Sequence, residues 1–212
     1  MTTLILVRHG QSVGNLHKKF LGHTDWDLSE QGYLQANITK EYLKDRKIDA
    51  VYSSDLMRAY NTVAPIAKQR NLEIVKDKQL REIYAGEWEG KKYDELLEQF
   101  PDDYGTWLND IGNARCTGGE SVRELQQRII CELVKISEAN LGKTVCIGTH
   151  ATPIRALTAY ISGVDFDEMK NIPWVKNASV TIVTYDEGHF QMIEYGIEDF
   201  LGSNVTALGA NV

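Results

Sequence analysis

The chain has 212 residues, of which 25% are charged and 42% hydrophobic, and its 23 Lys and Arg against 30 Asp and Glu give a net charge of −7. That length supports a full core without cross-links, and the composition excludes a disordered chain and a membrane-embedded one. The acidic balance excludes a general binder of nucleic acid or of an anionic membrane, which needs a basic stripe.

Leu4 to Val7 is a continuous apolar run, the pattern of a strand buried on both faces. Ser29 is an N-cap candidate for a helix whose Leu34, Ile38 and Leu43 recur at helical spacing. Ile48 to Tyr52 reads as a second strand and Met57 to Arg70 as a helix that Pro65 should kink or break. Leu72 to Val75 reads as a third strand. Between Glu120 and Leu141 the set Val122, Leu125, Ile129, Leu133 and Ile136 marks a long helix, ended by Gly142. Thr144 to Gly148 is another buried strand, followed by a helix from about Pro153 to Ser162. Val180 to Tyr185 and Phe190 to Tyr195 flank Asp186-Glu187-Gly188, a hairpin turn. Strands alternating with helices predict an α/β fold, a three-layer α/β/α sandwich around a mostly parallel central sheet. No linker divides the chain, so one domain is expected over residues 1–201, with residues 202–212 as a frayed tail.

Cys116, Cys131 and Cys146 are odd in number and lack metal-ligand spacing, which fits a reducing compartment. With no signal-like or membrane-spanning run, the expectation is a cytoplasmic protein.

Two segments share a design. Leu4-Ile5-Leu6-Val7 leads into Arg8-His9-Gly10, and Thr144-Val145-Cys146-Ile147-Gly148 leads into Thr149-His150-Ala151. Each sets a histidine just past the carboxyl end of a buried strand, where ligands bind in open parallel sheets. One such histidine is more often a satisfied loop residue; two at matched ends indicate a site. Arg58 falls in the first turn of the helix after the second strand, where guanidinium and helix dipole both favour an anion.

Leu6-Val7-Arg8-His9-Gly10-Gln11-Ser12-Val13-Gly14-Asn15 resembles the signature of the histidine phosphatase, or phosphoglycerate mutase-like, superfamily. Gly22-His23-Thr24-Asp25, Ser53-Ser54-Asp55-Leu56-Met57-Arg58, Leu80-Arg81-Glu82, Gly119-Glu120-Ser121 and Gly148-Thr149-His150 resemble its later blocks, in order. The resemblance implies that His9 is the nucleophile that forms a phosphohistidine, and that Arg8, Arg58 and His150 grip the phosphoryl oxygens. It implies that Glu82 is the general acid and base, and that Asn15, Gly22 and Thr24 complete the substrate site. An imidazole that attacks needs its other nitrogen held, most simply by a backbone carbonyl. No metal and no cofactor are implied; His23 and Asp25 lack a third ligand at metal spacing.

Mutases of the family carry a longer segment between the acid block and Gly-Glu-Ser than Ile83 to Gly118 here. Glu87-Trp88-Glu89-Gly90 is also more similar to the phosphatase branch, which includes alpha-ribazole and broad-specificity phosphatases. The expected partner is a small phosphate ester, with a cofactor-dependent mutase as the alternative and an inactive scaffold disfavoured by the complete set of ionisable residues. The outer hairpin strands leave a homodimer open. Tyr84, Trp88, Tyr93, Tyr104 and Trp107 form an aromatic stretch read mainly as packing, in a region that in the family covers the site.

Overall fold

In the computed structural model, which describes residues 1–206, strand β1 (Thr2–Arg8) lies inside a six-stranded sheet. Leu4 and Leu6 face one side and Ile5 and Val7 the other, all 1% exposed or less. Burial of consecutive residues requires cover on both faces, and helices supply it. The other strands are β2 (Ala50–Ser53), β3 (Ile74–Lys76), β4 (Thr144–Thr149), β5 (Val180–Asp186) and β6 (His189–Ile197). Their spatial order is β3-β2-β4-β1-β5-β6. The first four are mutually parallel; β5 runs antiparallel to β1, and β6 to β5. The architecture is the expected mostly parallel sheet between helical layers.

The helices are α1 (Val13–Leu16), α2 (Glu30–Tyr42), α3 (Met57–Arg70), α4 (Tyr93–Gln99), α5 (Pro101–Asn109), α6 (Val122–Ala139) and α7 (Ala151–Ser162). On one face Leu125, Ile129 and Leu133 of α6 and Ile154 of α7 pack against Leu4 and Leu6. On the other, Leu43 together with Val63 and Ile66 of α3 packs against Ile5 and Val7. Helix α6 starts at a capping box in which Ser121 and Glu124 satisfy each other's backbone N–H groups. In the hairpin turn Glu187 and Gly188 both have positive φ, the geometry that joins two twisted antiparallel strands tightly.

Three expectations are corrected. The buried face of α2 is not Leu34 and Ile38 but Gly32, Gln35, Ala36 and Thr39, and Leu34 is 47% exposed. A Cβ on Gly32 would stand 2.1 Å from the Gln11 carbonyl oxygen, so the helix meets the loop after β1 backbone to backbone. The Gln35 carboxamide then accepts from the Gln11 N–H at 2.8 Å. Close approach, and not apolar area, chose this face. Of the kink or break expected at Pro65, the break does not occur: α3 runs through it, with Val63, Ile66 and Ala67 buried on both sides. Residues 202–206 of the tail expected to fray are tied down. Gln35 Nε2 donates to the Asn204 carbonyl at 2.7 Å and to Thr206 Oγ1 at 2.8 Å, and Asn177 N–H donates to the Thr206 carbonyl. The rest of that expected tail lies outside the described residues.

Candidate active site

Strands β1 and β4 are neighbours, and the His9 N–H donates to the Thr149 carbonyl at 3.0 Å. The two strand-end histidines therefore meet, with His9 and His150 ring centroids 5.2 Å apart and edge-on at 61°. His9 Nδ1 lies 2.7 Å from the carbonyl oxygen of Gly10. A carbonyl only accepts, so Nδ1 carries the proton and Nε2 keeps its lone pair. The Gly10 N–H donates to Thr62 Oγ1 of α3 at 2.9 Å, which anchors the residue whose carbonyl holds the ring.

Burial, and then the charges of Arg58 and Arg8, hold the His9 pKa well below its ordinary 6.5. Burial and Arg58 do the same to His150. Both rings are therefore neutral near pH 7. His150 Nε2 is 2.9 Å from Ser54 Oγ, while its Nδ1 is buried without a partner among the described residues.

Arg8 and Arg58 are each 1% exposed. Arg58 donates from Nη1 to the Thr24 carbonyl at 2.8 Å and from Nη2 to the Gly22 carbonyl at 2.7 Å. Arg8 Nη1 donates to the Val175 carbonyl. The Nε of each has no protein partner, and neither guanidinium pairs with a carboxylate among the described residues. Burial pulls both pKa values down to about 10, yet both remain charged at neutral pH. Two buried cations without a counter-anion make a strong, local attraction for one.

Arg8, His9, Asn15, Arg58 and Glu82 line one small cavity of about 50 Å³. Asn15 caps the turn after β1, its Oδ1 accepting from the Ser12 N–H and from Asn177 Nδ2. Its amide NH2 is thereby the group left for the cavity. Half-buried Glu82 accepts at Oε1 from the Ile83 N–H at 2.9 Å, and its backbone carbonyl accepts from His23 Nε2 at 2.9 Å.

Gly22 also lines this cavity, but Thr24 does not. The Thr24 hydroxyl donates to Glu89 Oε2 at 2.9 Å, so the residue braces Arg58 through its carbonyl. His23 supports the backbone of Glu82. His17 and His189 are exposed. Ser54, Lys19 and Trp174 were not singled out. Ser54 stood beside a strand end and could have been; Trp174 lies in a segment with no periodic signal. The aromatic stretch divides: Trp88, Tyr104 and Trp107 are buried, Tyr84 is exposed, and Tyr93 and Trp107 reach the cavity. Among the described residues, no three His, Cys, Asp or Glu side chains gather as metal ligands, and no helix is long and apolar enough to cross a membrane.

Residues 4–198 match the family model described as histidine phosphatase superfamily (branch 1). The chain is 32% identical over 202 residues to phosphoserine phosphatase 1 of Hydrogenobacter thermophilus, covering 95% of each. It is 33% identical to the uncharacterized phosphatase PhoE of Bacillus subtilis, covering 95% of this chain and 97% of that one. The solved structure of Bacillus stearothermophilus YhfR superposes with a TM-score of 0.90 at 30% identity, covering 94% of this chain and all of the other.

Proposed function

The chain belongs to the histidine phosphatase superfamily (branch 1) and is a phosphatase; on that premise we propose that it hydrolyses a small phosphomonoester through a phosphohistidine on His9. The observation that carries this reading is the state of His9: neutral, with Nδ1–H on the Gly10 carbonyl and Nε2 free beside two unpaired guanidiniums.

His9 Nε2 attacks phosphorus as the phosphorus–oxygen bond to the alcohol breaks. Glu82 gives its proton to the departing alkoxide, which leaves as the alcohol. Glu82 then takes a proton from water, whose oxygen attacks the phosphohistidine. The nitrogen–phosphorus bond breaks, and phosphate departs with His9 neutral again. One difficult displacement becomes two easier ones. Arg8, Arg58, Asn15 and neutral His150 hold the equatorial oxygens and neutralise the charge that develops on them. No cofactor or metal is assigned a role. A compact anion drawn into a cationic pocket in a chain of net charge −7 also suits a cytoplasmic metabolite better than a polyanion.

The test is a phosphomonoester panel that includes phosphoserine, the substrate named for a relative, and 3-phosphoglycerate with and without 2,3-bisphosphoglycerate. Phosphate release from at least one ester, with an acid-labile, base-stable phosphoenzyme trapped in the wild type and lost in His9→Ala, is expected. Unchanged turnover in His9→Ala overturns the mechanism. Bisphosphoglycerate-dependent isomerisation that outruns phosphate release replaces the phosphatase with the mutase.

A further inference from the structure

Next to the small cavity lies a much larger one of about 1410 Å³, and the two share Asn15, Lys19, Tyr93, Trp107 and Trp174 as lining. A three-carbon ester occupies little of that volume. The wall of the larger cavity is charged against the sign of the chain, with Lys18, Lys19, Lys92, Arg155 and Lys170 facing a single acid, Asp94.

Arg155 differs from the lysines in being 4% exposed and built into the fold. Its Nη2 donates to the carbonyls of Met169 at 3.1 Å and Lys170 at 2.9 Å, and the guanidinium stands 4.2 Å from the centroid of the Trp174 ring. Trp174 stacks on Trp107 at 6.3 Å and 28°, so an Arg155–Trp174–Trp107 wall runs from the large cavity into the small one. Two carbonyls and a ring fix this cation, but among the described residues no carboxylate pairs with it and its Nε has no partner. Burial alone brings its pKa down to about 10. A buried guanidinium is costly to leave uncompensated, and a preorganised one suits a planar or tetrahedral oxyanion.

We propose that this vestibule is a second anion subsite centred on Arg155, and that the substrate is a phosphomonoester whose alcohol portion carries a further anionic group. The proposal rests on the phosphatase reading above and adds the class of leaving group. The aromatic wall accommodates the carbon skeleton between the two charges, and the lysines draw the second anion inward.

Matched pairs test it. 3-Phosphoglycerate and glycerol 3-phosphate share a skeleton and differ in a carboxylate, while propane-1,3-diyl bisphosphate and 3-hydroxypropyl phosphate differ in a second phosphate. The wild type should favour the doubly anionic member of at least one pair by tenfold or more in kcat/KM, chiefly through KM, and which pair separates further identifies the anion. Arg155→Met should reduce that ratio about tenfold, Arg155→Lys less. Lys170→Gln, at an exposed position that cannot endanger folding, should lower it about twofold and less at high salt. Equal kcat/KM within both pairs, or an unaltered ratio in the folded variants, overturns the subsite.

Calorimetric binding of the same four compounds to His9→Ala separates this outcome from failure of the phosphatase reading. A tenfold tighter Kd for a doubly anionic member, lost with Arg155→Met, supports the subsite even where nothing is turned over. Hydrolysis without any such preference rejects the subsite alone.

Discussion

Arg128 and Glu120 form a two-pronged ion pair, Nε to Oε1 at 2.9 Å and Nη2 to Oε2 at 2.8 Å, whose remaining hydrogen bonds all go to the segment that carries Glu82. Arg128 Nη1 donates to the carbonyls of Gln79 at 2.6 Å and Arg81 at 3.1 Å, and Nη2 to that of Glu82 at 3.3 Å. Glu120 Oε2 accepts from the Tyr84 N–H at 3.1 Å. A segment with three-residue helical turns and no strand pairing is thus clamped from α6.

The pair should therefore position Glu82 without touching substrate. Arg128→Met is expected to lower kcat about tenfold with little change in KM, because the groups proposed to hold the phosphoryl oxygens, Arg8, Arg58, Asn15 and His150, lie outside this loop. Loss of charged hydrogen bonds should also cost on the order of 2 kcal/mol of stability. Glu120→Gln combined with Arg128→Met should be markedly less than additive, as expected of direct partners. Steady-state kinetics and denaturant unfolding of the cycle check this; a pure KM effect, or full additivity, contradicts it.

The neutral histidine pair has a pH signature. His9 and His150 titrate well below 6.5 when folded and near 6.5 when unfolded. Between those values the unfolded state binds more protons, so stability rises with pH and falls as the medium is acidified below about 6.5. Each fully linked histidine contributes a slope of up to about 1.4 kcal/mol per pH unit. Unfolding free energies measured from pH 7.5 down to 5.5 should fall in the wild type and fall less steeply in His150→Gln. An identical slope in both would show that His150 is protonated in the fold.

The face chosen by α2 gives a paired prediction on stability. Gly32→Ala forces a Cβ against the Gln11 carbonyl and should destabilise by roughly 1–3 kcal/mol, the usual cost of overpacking, while also loosening the loop that holds Asn15. Leu34→Ser, at an exposed position, should change stability by no more than about 0.5 kcal/mol. Thermal unfolding of both variants decides it. A large loss at Leu34 would restore the face that periodicity alone suggested.

Local rules wrote much of this protein legibly. Consecutive apolar residues in Leu4 to Val7 and Val145 to Ile147 can be buried only in a sheet covered on both sides, which fixes the layers. His9 and His150 must then emerge at strand ends, and Arg58 in the first turn of α3. Such patterns need only the geometry of a few neighbouring residues. They do not say which strands pair, and it is the placement of β4 beside β1 that turns two separate histidines into one site.

The same limit explains what the sequence left open. The face of α2 was set by how closely Gly32 lets two backbones approach, a property of the contact and not of the helix. The neutrality of both rings and the Arg155–Trp174–Trp107 wall depend on partners far away in the chain, and the Arg128–Glu120 clamp grips carbonyls of Gln79 to Glu82, more than forty residues before Arg128. Burial and hydrogen bonding act through space, so residue types and spacing named the candidate groups, and only the tertiary structure set their charge, their aim and the shape of the space before them.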